Sequence, residues 1–337
     1  MKSLRLYGPG DLRLVDEAPP VPGPDEELVR VTAVGICGSD LHWYAESGIG
    51  DARLSRPLVL GHEAGGVVES GPRRGQRVAI DPAIGCEECE QCLAGHVHLC
   101  LKIRFAGHGA TDGSLRELVA WPGKCLIPVP EGLTDGDVAM LEPLGVALHA
   151  VRLAGIRPGE SVGIFGCGPI GLFLIQLARA SGATTVVATD VLPHRVEAAR
   201  AAGATAAVLV AGGAERGELL AETGGHGVDV AFEAAGEDDA LETSIALAAP
   251  TGTVVIVGIP SKDQTSFTAS TARRKGLTIK LSRRMNRVYP QVIRLVEAGR
   301  VDVRSVVTAS HPLSDYKTAF ATAAAREGLK VVLRPSE

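Results

Sequence analysis

The chain has no long run of basic residues. RRGQR at 73–77 and RRKG at 273–276 are short clusters in 337 residues with a formal net charge of −5, and they read as solvated loops, with no nucleic-acid partner expected. An apolar leader is also missing, because MKSLRLYGPGDLRLVDE at 1–17 lacks the hydrophobic core of a secretion signal. The expected setting is therefore cytoplasmic and reducing, where disulfides are rare. Long uncharged stretches are confined to 161–178 and 243–261. Both contain proline and several glycines at turn-like positions, so each reads as strand, turn and helix, and no membrane span is expected. There is neither an internal repeat nor a low-complexity tract. At this length, with 45% hydrophobic and 22% charged residues, the chain holds two domains or one large one.

The texture changes along the chain. Residues 1–145 are rich in Pro and Gly, with short alternating runs such as LVRVTAVG (28–35) and RVAI (77–80), which indicate β-sheet with long loops. From about 160 strands and helices alternate regularly: SVGIFG, PIGLFLIQLARASG, TTVVATD, LPHRVEAARAAG, VDVAFEAAG, a helix through the 240s, then GTVVIVGIP. That alternation predicts a parallel sheet covered by helices. After about 272 the character is mixed again, and the last segment is expected to fold back onto the N-terminal part.

Gly166-Cys167-Gly168-Pro169-Ile170-Gly171 is a G-x-G-x-x-G between a strand and an apolar-periodic helix. The first glycine makes the tight turn, the second lets a pyrophosphate approach, and the third lets helix pack on strand. Asp190 ends the next strand, where an acid takes the ribose hydroxyls. A carboxylate there repels the 2′-phosphate of NADP, so NAD is expected, with Arg195 as the residue able to reverse that preference. A glycine-rich turn with no ligand is the plain alternative.

Seven cysteines stand at 37, 86, 89, 92, 100, 125 and 167. Cys86, Cys89, Cys92 and Cys100 place four thiols in 15 residues, the pattern of a closed structural zinc site. An iron–sulfur cluster is the competitor, but its common spacing puts proline after the last cysteine, and Leu101 follows here. Cys125 and Cys167 read as small buried hydrophobes. Cys37 in GICGSDLH, His62 and Glu63 in GHEAGGVV, and Glu142 in MLEPLG are scattered, and no spacing rule joins them. Adjacent strand residues face opposite sides, so His62 and Glu63 share a surface only if the strand bends, as Gly61, Gly65 and Gly66 would permit. A solvent-facing Glu beside a hydrogen-bonded His is the plain reading of that pair.

GICGSDLH, LVLGHE, the four-cysteine segment, LEPLGVALHA and GCGPIG, in this order, resemble the zinc-containing medium-chain dehydrogenases over essentially the whole chain. The likeness is greatest to their sorbitol-type polyol branch. It implies an α/β protein with a GroES-like β-rich catalytic domain at 1–146, a Rossmann doubly wound parallel-sheet domain at 147–272, and a segment 273–337 that returns to the catalytic domain. By position, Cys37, His62 and Glu63 correspond to the catalytic zinc ligands. Glu142 corresponds to the acid that contacts the metal's water or replaces Glu63. Two zinc ions per chain and NAD are implied, with oxidation of a secondary alcohol or polyol to the ketone.

The resemblance also makes Ser39 and His42 a proton relay. Ile170, Val257, Gly258, Ile259, Ser282, Arg283 and Arg284 line the dinucleotide, and Trp43, Phe105, Glu142 and Arg283 the substrate. Ordinary core packing is the alternative for Trp43 and Phe105. A homodimer or homotetramer is implied. Gly66 and Gly71 enclose four residues where the family commonly has five, Trp43 stands where sorbitol-type members have tyrosine, and Arg284 replaces a substrate-side aromatic. These departures keep a sugar acid of the L-idonate type, or threonine, open as substrate. A zinc-free reductase and a non-catalytic NAD-binding protein are the other readings.

Overall fold

Short β-branched segments build a six-stranded sheet in the second half of the chain. The strands are Ser161–Phe165, Thr185–Asp190, Ala206–Leu209, Val228–Glu233, Ala248–Ile256 and Thr278–Leu281. All neighbours pair parallel, and the third, second, first, fourth, fifth and sixth lie side by side in that order. This is the Rossmann order, whose ligand crevice lies at the carboxyl ends of the strands where the order reverses. Helices Pro169–Ala180, Pro193–Ala201, Glu215–Glu222 and Asp238–Leu247 connect the strands. The structure is a computed structural model and describes residues 1–260 and 262–337.

Two units are distinguishable: Met1–Glu142 with Val303–Glu337, and Pro143–Asp302. The first is built on the long strand Glu26–Gly35, which pairs antiparallel with Glu63–Val68, Leu118–Pro122 and Lys330–Arg334. Arg77–Ile80, Leu126–Pro128 and Val307–Pro312 complete a seven-stranded sheet. A smaller sheet of Lys2–Gly8, Asp11–Asp16 and Leu58–Val59 shares one core with it, which includes Leu4, Leu6, Val29, Val31, Leu60, Ile80, Trp121 and Phe320.

The structure corrects two boundaries. Residues 273–302 stay with the parallel-sheet unit, which begins at Pro143, four residues before the expected 147. Their sequence reads as mixed because Thr278–Leu281 is the edge strand. It is covered less than the inner strands, so it alternates polar and apolar instead of running apolar throughout. The second correction concerns GHEAGGVV. It is not one bent strand: the chain breaks after Leu58–Val59 and resumes at Glu63, leaving His62 in the break. Gly61 makes the break at φ 89°, in a place where a side chain would meet Val34 and Leu115. The break is clamped by the segment that carries Leu115, with the N–H groups of Gly113, Ser114 and Leu115 donating to the carbonyls of Val59, Gly61 and Leu60 at 2.7, 2.9 and 3.0 Å. Gly65 and Gly66 lie opposite a register shift between Val31 and Ala33, and their bare Cα atoms admit Val138 and the Arg30 carbonyl.

The Gly-rich turn separates into two packing glycines and one open one. Gly166 has φ 106° and lies against the backbone of Ala234 and Ala235, and a side chain on Gly171 would overlap the Gly166 carbonyl. For Gly168 the nearest atom to a prospective Cβ is Nη1 of Arg195 at 3.6 Å. Gly171→Ala should therefore lower stability by about 1–3 kcal/mol through overpacking, whereas Gly168→Ala should leave the melting temperature nearly unchanged. Equal melting temperatures for the two variants would contradict this division.

Candidate functional site

In the first unit, Cys37, His62 and Glu63 bring a thiol, an imidazole and a carboxylate within 4.8 Å of one another. Cys37 caps the helix Gly38–Glu46. Asp40, in the first turn of that helix, accepts the Cys37 N–H at 2.9 Å, the acidic half of a capping box. Its other oxygen accepts the Gly61 N–H at 3.0 Å and lies 3.7 Å from His62 Nδ1. One buried carboxylate thus ties the loop carrying Cys37 to the break carrying His62. Sequence reasoning passed over Asp40 although it lies within GICGSDLH; the signal was an acid three residues after a helix N-cap.

Glu63 opens its strand opposite Gly35, where any side chain would overlap its carboxylate. Both its oxygens accept from Lys330 Nζ, at 2.7 and 2.6 Å, and the same ammonium donates to the Ile36 carbonyl at 3.1 Å. Lys330 and Glu63 are 5% and 1% exposed, so the pair is wholly desolvated. Lys330 was not singled out from sequence, since its partner is 267 residues away. Burial works against a charged His62, but the Asp40 carboxylate and the Cys37 thiol hold its proton well above the ordinary imidazole range. Glu142 is buried in the same unit without belonging to the three-donor cluster. Burial pushes its carboxyl up to about 8, His62 opposing and Glu63 reinforcing the rise.

Ser39 and His42 are three residues apart on the Gly38–Glu46 helix, hence on one face, and both are half-buried. The Phe105 ring lies 5.3 Å from that of His62. Trp43 is 2% exposed and packed with the core, its ring edge-on to His108 at 5.5 Å. It occupies the inward face of its helix together with Asp40, one turn apart.

Cys86, Cys89, Cys92 and Cys100 form a second cluster within 4.8 Å. Sulfur separations of 4.0 Å (Cys86–Cys92) and 3.9 Å (Cys89–Cys100) are close to the ~3.8 Å edge of a tetrahedron with 2.3 Å zinc–sulfur bonds. Backbone N–H groups of Cys86 and Cys89 point at Cys100 and Cys86 sulfurs at 3.3 and 3.4 Å, favouring thiolates. The four crowded sulfurs titrate apart: the Cys92 backbone N–H leads in pulling the Cys89 thiol down to about 6, whereas burial pushes the Cys92 thiol up to about 12. This donor set fits a closed zinc site, and the Cys37–His62–Glu63 set fits one with a position left open.

In the second unit, Asp190 faces the Gly-rich turn. Its oxygens accept the N–H groups of Cys167 at 2.8 Å and Leu192 at 2.9 Å, which leaves lone pairs for a ribose. Arg195 approaches Gly168 over the same turn, and Pro169 and Ile170 open the following helix, half-buried. The loops 234–236 and 257–259 are joined by a residue not foreseen: buried Glu233 accepts the Ala235 and Gly236 N–H groups, each at 2.7 Å, while its backbone carbonyl accepts from Val257 and Gly258. Ile259 beyond them is exposed. The Ser282 N–H donates to the Ile256 carbonyl at 2.9 Å; Arg283 is exposed, and Arg284 is half-buried with φ 55°. The open space at Gly168, at a helix N-terminus and beside Asp190, fits a dinucleotide pyrophosphate and ribose.

A Rossmann unit with a phosphate cradle, joined in one chain to a β-rich unit with an open three-donor centre and a closed thiol centre, defines a metal-dependent, dinucleotide-dependent dehydrogenase. Residues 23–131 match the alcohol dehydrogenase GroES-like domain and residues 169–298 the zinc-binding dehydrogenase family. The chain is 36% identical over 326 residues to D-xylulose reductase A of Aspergillus niger, covering 94% of this chain and 91% of that one. It is 33% identical to sorbitol dehydrogenase of Bacillus subtilis, covering 100% and 98%. A zinc-binding dehydrogenase of Sinorhizobium meliloti 1021 solved with NADP superposes with a TM-score of 0.90 at 33% identity, over 99% of both chains. The chain belongs to the zinc-binding alcohol dehydrogenase family, and it is a zinc- and nicotinamide-dependent oxidoreductase.

The two thiol-bearing centres should separate by mutation. Cys100→Ser should lower the melting temperature and expression, because a closed zinc site contributes folding energy directly. Cys37→Ser should abolish turnover with a far smaller change in melting, and metal analysis should find one zinc fewer in each. Equal destabilisation by both would refute the distinction. In metal-free protein, Glu142 keeps its proton in the folded state, with its carboxyl at about 8 instead of 4.5. Its contribution to stability is then complete below about pH 4.5 and is lost as pH rises through about 8. Metal-free wild type should accordingly lose more melting temperature between pH 5 and 8 than metal-free Glu142→Gln; parallel curves would show that Glu142 ionises normally.

Proposed function

We propose that the chain oxidises a secondary hydroxyl of a polyol such as xylitol or sorbitol to the ketone with NAD+. The observation that carries this reading is the Cys37–His62–Glu63 donor set, with Cys37 half-buried, His62 and Glu63 buried, and the cluster oriented by Asp40. When bound, zinc supplies a Lewis acid to the substrate hydroxyl and the nicotinamide accepts hydride. The remaining work falls to the chain. Asp40 faces His62 Nδ1, which leaves Nε2 as the nitrogen for the metal. Ser39 and His42, on one helix face, pass the hydroxyl proton outward. Glu142, held neutral by burial in the absence of metal, supplies a hydrogen-bond partner for substrate or solvent, and Phe105 packs beside His62 as an apolar wall. Cys86, Cys89, Cys92 and Cys100 hold a second, structural zinc.

In the second unit Gly166, Gly168 and Gly171 admit the pyrophosphate, Asp190 takes the ribose, and Val257–Ile259 with Ser282–Arg284 flank the nicotinamide half. No helix among the described residues is long and apolar enough to cross a membrane; the working form in this proposal is a cytoplasmic homodimer or homotetramer. The likeness to sorbitol dehydrogenase and D-xylulose reductase along nearly the whole chain supports a polyol over ethanol.

Metal analysis combined with NADH production from sorbitol, xylitol, galactitol, idonate, threonine and ethanol tests the assignment. Polyols should be turned over well and ethanol poorly. Preference for idonate, lost in Arg284→Ala, would shift the substrate to a sugar acid, since a guanidinium matches a carboxylate bidentately. Activity on primary alcohols alone would overturn the polyol assignment. Cofactor choice rests on Asp190: wild type should prefer NAD+ by at least about tenfold, and Asp190→Ala should weaken NAD+ while improving NADP+. Equal use of both by wild type would make Arg195 the deciding group.

A further inference from the structure

Lys330 is the one buried lysine among the described residues. All three of its ammonium protons are committed, two to the Glu63 oxygens at 2.7 and 2.6 Å and one to the Ile36 carbonyl at 3.1 Å. It therefore has no donor left for substrate or water, and it is not a proton carrier. Its carbonyl partner, Ile36, is the residue before Cys37, so one ammonium touches the segments that present two of the three donors.

The charge at this centre makes that contact consequential. A thiolate at Cys37 and a carboxylate at Glu63 together cancel a divalent cation, which would leave little electrostatic drive to ionise a bound hydroxyl. A buried ammonium returns one positive charge at hydrogen-bond distance, where the low dielectric magnifies its effect. It also competes with the metal for the same carboxylate oxygens, so Glu63 is shared between two cations.

We propose that Lys330 is a positioning residue that keeps Glu63 a weakened ligand and the metal centre electropositive, trading tightness of metal binding for ease of hydroxyl ionisation. This rests on Cys37, His62 and Glu63 being the zinc centre of the proposed dehydrogenase. The assignment differs from a purely structural role in sign. A strut, when removed, loosens the site and the metal with it. A competitor, when removed, releases Glu63 to the metal and takes away a repelling charge.

Lys330→Gln removes the charge and keeps a donor for Glu63; Lys330→Met removes both; Lys330→Arg keeps the charge. On the full-length zinc enzyme, chelator competition should show zinc at this centre held about tenfold more tightly in Lys330→Gln, opposite in sign to the roughly 10–100-fold loss of affinity that removing a supporting residue behind a metal ligand typically causes. Its kcat should fall about 10–100-fold with KM for the alcohol changed far less, and NADH binding measured by fluorescence should stay at the wild-type value. Lys330→Arg should recover most of the kcat and the wild-type zinc retention. Zinc lost more readily from Lys330→Gln, or retained equally, would overturn the proposal. Should Lys330→Met fail to fold, the Gln and Arg variants still give both readouts. Zinc retention is read without turnover, so a chain that proves inactive on every polyol would sink the substrate assignment and leave the test of Lys330 intact.

Discussion

Asp40 is the constraint on which the Cys37–His62–Glu63 donor cluster depends. Its carboxylate is buried, and burial of an ionised group is tolerable only when its oxygens are satisfied. They are satisfied by the N–H groups of Cys37 and Gly61 and by proximity to His62. These contacts oblige the start of a helix and a break between two strands to meet at one carboxylate. Gly61 adopts the left-handed conformation that the meeting requires, and Gly107 and Gly113 let their backbone lie directly against Leu60 and Gly61. The donor cluster is therefore set by backbone geometry before any metal arrives, which is the arrangement expected of a site that must hold an open position.

The second unit solves a related problem with a different carboxylate. Glu233 ends a central strand and takes the amides of the turn that follows, while its own carbonyl takes those of the loop after the next strand. Gly236 and Gly258 are so close to neighbouring backbone that neither tolerates a side chain. Two loops at the carboxyl edge of the sheet thus behave as one piece. In both units an acid that does no chemistry fixes the loops whose residues are proposed to do it.

Much of this was legible in the sequence, for physical reasons that also explain what was not. The inner strands of the parallel sheet are buried on both faces and so read as continuous apolar runs, and the Gly-rich turn is local in sequence. The thiol cluster is compressed into 15 residues and was equally plain. Strand Ala206–Leu209 and helix Glu215–Glu222, short and partly exposed, gave weak signals, and the edge strand Thr278–Leu281 blurred the boundary. Grouping Cys37 with His62 and Glu63 depended on resemblance, because antiparallel register between Glu26–Gly35 and Glu63–Val68 is not written in spacing. Lys330 was invisible for the same reason at longer range. Trp43 reads both as a pocket residue by resemblance and as core, and helical periodicity puts it on the buried face of its helix with Asp40.

The strand Lys330–Arg334 is inserted between Glu26–Gly35 and Val307–Pro312. During vectorial synthesis, residues 143–302 emerge as an uninterrupted block whose six strands can pair as soon as the last is released. The first unit cannot close its sheet at that stage, because the gap beside Gly35 awaits residues made after the whole second unit. Until then the Glu26–Gly35 strand keeps an open edge at Val34 and Gly35, and Glu63 on the next strand inward lacks its ammonium partner. The order in which the ribosome delivers the chain thus lets the parallel sheet close first, and a nascent chain that carries the whole Gly-rich turn unit is still too short to complete the surroundings of the Cys37–His62–Glu63 cluster.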